Sequence, residues 1–315
     1  MESFVSRLIS AIREKKSHVV LGLDPVYETL PSALKLDKDP TLANAGRAIM
    51  DFNYALIDAL HELVPAVKPQ IAFYERYGLY GLKAFLETVT YAKEKGLLVI
   101  EDAKRNDIGS TAQAYSDGHI GRVTLGLFRE AVFDVDAITV NAFLGSDGIL
   151  PFVQDSANYS KGIFVLVKTS NPSSSELQDV VVHAGNRERK LYEVIAEFVN
   201  KWGEGQVDDS GYSSVGAVVG ATYPADARIL RELMPHAYFL VPGFGFQGAG
   251  AADVISCFNR DGYGALIAAS RSINYAFQTS ARYGESRFAE AAREAVTEMN
   301  EQINHELQLR GLLHF

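Results

Sequence analysis

Short apolar runs alternate with longer amphipathic stretches along the whole chain. The β-like runs are Val19–Leu23, Ala66–Ile71, Leu97–Ala103, Ala137–Val140, Ile163–Val167, Val215–Val219, Tyr238–Val241 and Ala265–Ala269. They are rich in Val, Ile, Leu and Ala and alternate little with polar residues, as strands covered on both faces do. Between them, Ile49, Phe52, Leu56, Ile57, Leu60 and Leu63 recur at spacings of three and four, which predicts one apolar helix face. Phe4, Leu8 and Ile12 predict an extra helix before the first strand, and Phe288 to Leu307 a terminal one. Eight strand–helix repeats are the count of a (β/α)8 barrel, a fold of about 250 residues that tolerates insertions. The expectation is one such TIM barrel with an extra N-terminal helix, a single domain over residues 1–315. A doubly wound sheet is the alternative, since periodicity does not set topology. Two polar insertions stand out, the Ser-rich Ser170 to Asn186 and Gly203 to Tyr212.

Composition narrows the function classes. Apolar residues make up 47% of the 315 and charged ones 22%, close to the globular average. The net charge of -9 gives no electrostatic footprint for nucleic acid. No apolar run approaches the roughly 18 residues of a membrane span. A single cysteine, Cys257, cannot form an intrachain disulfide, and no signal-peptide pattern opens the chain. These features point to a cytoplasmic protein without nucleic-acid or membrane partners.

Barrel enzymes keep their chemistry at the C-terminal ends of the strands. The third run ends Glu101-Asp102-Ala103-Lys104-Arg105-Asn106-Asp107-Ile108-Gly109. Residues two apart on a strand share a face, so Asp102 and Lys104 should both point into the barrel mouth. Asp107 follows at the turn into the next helix, and an ammonium between two carboxylates is held protonated. A structural ion pair at a strand end is the alternative. Glu101 should face the helix layer. Lys68, at the end of the second run, is costly to bury unpaired, and Asp102 is its natural partner. A lysine snorkelling to the rim is the other reading.

Gly243-Phe244-Gly245-Phe246-Gln247-Gly248 matches G-x-G-x-x-G, but it follows the seventh run rather than opening a first βαβ unit. Phosphate binding is the better reading, because barrels commonly hold a phosphate in the loops after strands seven and eight. Arg271, just past the eighth run, adds a guanidinium suited to bidentate phosphate contact. Glycines serving tight turns alone are the bland alternative. His61-Glu62 lacks the second histidine of a zinc H-E-x-x-H pattern, and the other histidines are scattered. Cys257 reads as a buried small hydrophobe.

With these residues in place, the chain resembles the orotidine 5'-phosphate decarboxylases, in particular their longer bacterial branch. The resemblance runs almost the full length. It rests on Leu21-Gly22-Leu23-Asp24-Pro25, Lys68-Pro69, Asp102 to Gly109, Lys168-Thr169-Ser170-Asn171-Pro172, Pro242-Gly243 with Gln247, and Ser270-Arg271-Ser272. It implies that Lys104 protonates C6 of the pyrimidine as carbon dioxide leaves, with Asp102 beside the departing carboxylate. Lys68 would orient Asp102 and contact the ribose, and Asp24 would hold a ribose hydroxyl. Ser170 would read the pyrimidine edge, and Gln247 and Arg271 would hold the phosphate. Asp107 and Thr111 would reach across a homodimer interface into the neighbouring site. The resemblance implies no metal and no organic cofactor. The segments 170–186 and 243–250 would be the ones to close over substrate.

Three rivals remain at this stage. Decarboxylases of keto-sugar phosphates share the D-x-K-x-x-D pattern but use Mg²⁺. A Schiff-base aldolase would need a neutral lysine, which the carboxylate neighbours oppose. A non-catalytic nucleotide-binding barrel would be expected to have lost part of the set Lys68, Asp102, Lys104 and Asp107.

Overall fold

Each apolar run identified above forms a strand. A computed structural model describes residues 2–35, 41–185, 187–245, 248 and 250–315. Its eight parallel strands are β1 (Val19–Leu23), β2 (Ala66–Pro69), β3 (Leu98–Arg105), β4 (Ala137–Val140), β5 (Gly162–Lys168), β6 (Ser213–Val219), β7 (Ala237–Pro242) and β8 (Ala265–Ala269). Each pairs with its sequence neighbours, and β8 closes on β1 with Val19 opposite Ile267 and Val20 opposite Ala268. The long helices are α1 (Phe4–Lys15), α2 (Leu42–Leu60), α3 (Gly78–Glu94), α4 (Gly109–His119), α5 (Ser146–Tyr159), α6 (Leu191–Gly203), α7 (Pro224–Leu233) and α8 (Phe288–Leu309). The fold is the expected TIM barrel.

The two faces of the strands feed two cores. Outward residues such as Val19, Leu21, Val67, Val99 and Ile138 pack under the helices with Phe52, Phe85 and Phe152. Inward residues Val20, Ala66, Leu98, Ile100, Ala137, Phe164, Leu240 and Leu266 form a second cluster. Helix α1 belongs to that inner cluster through Phe4, Val5, Leu8, Ile9 and Ile12. Its first turn is capped by Ser3, whose side chain accepts from the Ser6 amide. Phe4 meets Phe164 edge-on at 6.1 Å, and Arg7 pairs with Asp136 at 2.7 Å. The helix therefore seals the N-terminal end of the barrel and leaves its C-terminal mouth open.

The local differences from the sequence expectation have simple causes. Strand β2 stops at Pro69, short of Ile71, where the chain turns into a brief helix, Ala72–Glu75. Strand β3 runs on to Arg105 because its register with β4 shifts between Glu101 and Arg105. The Ser-rich insertion carries a 3-10 turn, Pro172–Glu176, and an antiparallel hairpin, Val181–Ala184 with Arg187–Lys190. Its last expected residue, Asn186, lies outside the described residues. A second hairpin, Val123–Leu125 with Phe128–Glu130, was not expected. Cys257 is buried as expected, and burial pushes its thiol up to about 12.

Candidate active site

Inward positions alternate by two, so the charged residues stand one step above the apolar layer: Lys68 above Ala66, Asp102 above Ile100. They line a cavity of about 200 Å³ at the barrel mouth together with Asp24, Gln70, Phe73, Phe244, Ser270 and Arg271. A wider cavity of about 840 Å³ adjoins it and shares Asp24, Phe73, Arg271 and Ser272. Another, of about 530 Å³ beside Val199, Ser213 and Ala237, sits by the N-terminal ends of β6 and β7, away from this chemistry. Gly22 permits the closure of β1 on β8 here. A Cβ on it would lie 2.7 Å from that of Ser270.

Asp102 is the centre of the charge network. Its Oδ2 accepts from Lys68 Nζ at 3.1 Å and its Oδ1 from Lys104 Nζ at 2.5 Å. Burial opposes ionisation of Asp102, but Lys68 and then Lys104 outweigh it and hold the carboxyl well below the usual range. Burial likewise works against the Lys68 ammonium, yet Asp102 and Asp24 hold that lysine above its ordinary value. Both groups are thus locked in their charged forms. Lys104, by contrast, keeps 44% of its side chain exposed, at the open side of the pair.

The convergence of Asp102 and Lys104 was expected from simple alternation, but the chain achieves it differently. Lys104 sits in the left-handed region, with φ at 49°. That conformation is costly for a residue with a Cβ and persists only where its surroundings hold it. Arg105, the next residue, donates to the Ala103 carbonyl at 3.2 Å and pairs with Glu75 at 2.7 Å. Its guanidinium lies 5.4 Å from the Tyr115 ring centroid. Glu101 faces the helix layer as expected and meets His119 there.

The other expected residues fall into four groups. Asp24 lines the cavity, and its buried Oδ1 has no hydrogen-bond partner among the described residues. Arg271 lines the same cavity at the start of a short helix, Arg271–Asn274. Ser170 lies past the end of β5 and is not a lining residue of that cavity. Its turn is nevertheless fixed. Gly220 packs so closely that a Cβ there would lie 2.8 Å from the Ser170 Cα, and Gln178 bonds both the Thr169 amide and hydroxyl.

Asp107 does not join the network within this chain, contrary to the expectation that Lys104 sits between two carboxylates. Its Oδ1 accepts from the Ile108 amide at 2.8 Å, and no ion pair links it to Lys104 among the described residues. Asp107 is half-buried and Thr111, on α4, is exposed, and neither lines the cavity. Gln247 lies outside the described residues, as do Phe246 and Ala249.

Sequence reasoning passed over Thr139, whose hydroxyl bonds Asp102. The available signal was a lone polar residue in the apolar run Ala137–Val140, at the inward parity of Ala137. It named Lys168 within a motif but gave it no role; that lysine is buried at the end of β5 and held by both oxygens of Asp179 at 2.9 Å.

The comparisons with known proteins show the family. Residues 17–280 match the family model described as Orotidine 5'-phosphate decarboxylase / HUMPS family. This chain belongs to that family. An orotidine 5'-phosphate decarboxylase of Rhodopirellula baltica is 41% identical over 307 residues, covering 96% of this chain and 99% of its own. That of Caldicellulosiruptor bescii is 40% identical over 308 residues, with the same coverages. Among solved structures, the OMP decarboxylase of Leishmania donovani superposes with a TM-score of 0.71 at 31% identity, covering 97% of this chain and 99% of that one. No helix among the described residues is long and apolar enough to cross a membrane.

Proposed function

We propose that this protein decarboxylates orotidine 5'-phosphate to UMP, the last step of de novo pyrimidine synthesis, with Lys104 as the proton donor. The observation that carries the reading is the alternating row Lys68–Asp102–Lys104 at the mouth, in which Lys68 and Asp102 are held charged and Lys104 Nζ is bonded to Asp102. Breaking the bond from C6 to the carboxylate leaves its electron pair in the ring plane, with little π delocalisation to spread it. A fixed ammonium aimed at that carbon stabilises the pair, and its proton then forms the new C6–H bond. Carbon dioxide leaves, and Lys104 regains a proton from solvent, to which it is open.

The remaining residues fit the rest of the substrate. Asp24, with its unpartnered buried oxygen, accepts from a ribose hydroxyl, and Lys68 donates to the same sugar. Arg271 and Gln247 take the phosphate, and Ser170 the pyrimidine edge. Phosphate contacts remote from C6 supply binding energy that the transition state can use.

A homodimer completes the site in this reading. Asp107 lies beside Leu144, both packed around Gly148, and Ile108 and Phe143 next to them expose 52% and 73% of their surface. Such an apolar rim around a displaced carboxylate suits a second copy that receives Asp107 and Thr111 in its own site.

The ultraviolet absorbance of orotidine 5'-phosphate, followed on adding purified protein with and without EDTA, tests the reading. Conversion to UMP that ignores the chelator is the expected result. Conversion abolished by EDTA would favour the Mg²⁺-dependent chemistry of keto-sugar phosphates, and no conversion by folded protein would remove the substrate assignment.

A further inference from the structure

Between two pairings with β4, strand β3 advances four residues, from Glu101 to Arg105, while β4 advances only two, from Ile138 to Val140. Glu101 pairs with Ile138 and Arg105 with Val140, so the stretch Asp102-Ala103-Lys104 bulges opposite the single residue Thr139. A bulge of this kind strips backbone amides of their ladder partners. Here the amides of Ala103 and Lys104 both turn to the same atom, Thr139 Oγ1, at 3.0 and 2.9 Å. The hydroxyl proton is left to donate, and it goes to Asp102 Oδ1 at 2.9 Å.

A threonine hydroxyl offers one donor and two acceptor lone pairs, and all three are used. Thr139 is itself buried, with 1% of its surface exposed, so water does not compete for these bonds. Asp102 Oδ1 is also the oxygen that receives Lys104 Nζ. One side chain therefore holds the backbone of Lys104 in its left-handed turn and orients the carboxylate to which its ammonium is tied.

We infer that Thr139 is a positioning residue for decarboxylation, fixing the Lys104 ammonium through the bulge and through Asp102. The inference rests on Lys104 as the proton donor. It gives the strained turn a physical support. Without the hydroxyl, two amides lose their acceptor, and Lys104 is free to relax toward an ordinary extended conformation that carries its Nζ elsewhere. Nothing in the phosphate or ribose contacts changes, so the loss falls on the chemical step.

The test is steady-state kinetics on Thr139→Val, which matches the shape and lacks the hydroxyl, beside Thr139→Ser, which keeps it. For a displacement of the order of an ångström, kcat of Thr139→Val should fall about a hundredfold with KM within about threefold. Thr139→Ser should stay within about threefold of the parent on both counts, and UMP affinity should be kept in both variants. A purely structural threonine would lower melting temperature while leaving kcat of the folded fraction alone. A folded Thr139→Val with near-parental kcat, a Thr139→Ser as slow as Thr139→Val, or a loss confined to KM would each overturn the inference. If Thr139→Val does not fold, Thr139→Ala is held against Thr139→Ser by the same criteria. Lys104→Ala, run in parallel, separates the two claims: its retained turnover would remove the proton-donor reading whatever Thr139 does.

Discussion

Glu101 Oε2 and His119 Nδ1 lie 2.6 Å apart, buried on the face of β3 opposite the one that carries Asp102. The strand is thus gripped from both sides. Beneath it, His119 ties Glu101 to the last turn of α4, while above it Lys68, Lys104 and Thr139 converge on Asp102. Adjacent residues on one strand serve separate purposes because alternation sends them to opposite faces.

Removing one partner of that lower pair strands the other in an apolar setting. His119→Phe should lower unfolding free energy by about 3 kcal/mol, whereas Glu101→Leu with His119→Phe should recover most of the loss. Urea denaturation of the two variants measures it. Because the pair faces away from the cavity, kcat measured well below the unfolding transition should change less than about tenfold. A single variant as stable as the parent would show that the contact contributes nothing.

Lys68 governs the acid side of the pH profile. Burial drives the Asp102 carboxyl toward its neutral form, and the two lysines prevent this. Lys68→Met removes the first of them while burial and Lys104 remain, so the carboxyl rises from its depressed position. Activity that needs ionised Asp102 is then lost at a higher pH as the solution is acidified. The acid limb of kcat/KM against pH reports the free enzyme and should move upward. An unmoved limb would mean that Lys104 alone keeps Asp102 ionised.

The displaced Asp107 makes a subunit-exchange experiment decisive. Lys104→Ala and Asp107→Ala proteins should each be inactive alone. Mixed dimers place both lesions in one site and leave the other whole, so activity should return to about a quarter of the parental value at full random exchange of equal amounts, since half the dimers are mixed and each has one working site of two. Proven exchange without any recovery would put Asp107 in its own chain's site.

Most of the barrel was legible because buried parallel strands have a simple signature. All eight runs of Val, Ile, Leu and Ala form strands, and only their ends differ. Lys68 and Asp102 could be paired in advance because an unpaired buried charge is too costly to leave. The bulge after Glu101 could not be read. It depends on the register of β3 against β4, a long-range pairing that local pattern does not encode. For the same reason Thr139 looked like one more strand residue. The hairpin at Val123–Glu130 escaped notice because its exposed Leu125, Leu127 and Phe128 give no alternation against a core.

His18 sets a second pH dependence, this one on stability. It lies at the sealed end of the barrel, against the rings of Phe258 at 4.9 Å, Phe315 at 5.5 Å and Tyr263 at 6.1 Å. Burial pushes its imidazole down to about 4, with the Ala265 backbone and then Asp261 offsetting only part of the effect. Above the unfolded value of about 6.5 both states are neutral and pH has no effect through this group. As pH falls below that, the unfolded chain takes up a proton that the folded one refuses, so stability declines until about pH 4. Between pH 7.5 and 5 the loss from this group should be about 2 kcal/mol, from about 1.4 kcal/mol per pH unit over the interval where only the unfolded form is protonated. Urea unfolding of the parent and His18→Leu at the two pH values isolates it, because the carboxylates contribute equally to both proteins. The parent should lose more stability than the variant by about that amount; equal losses would mean that the folded imidazole accepts its proton without penalty.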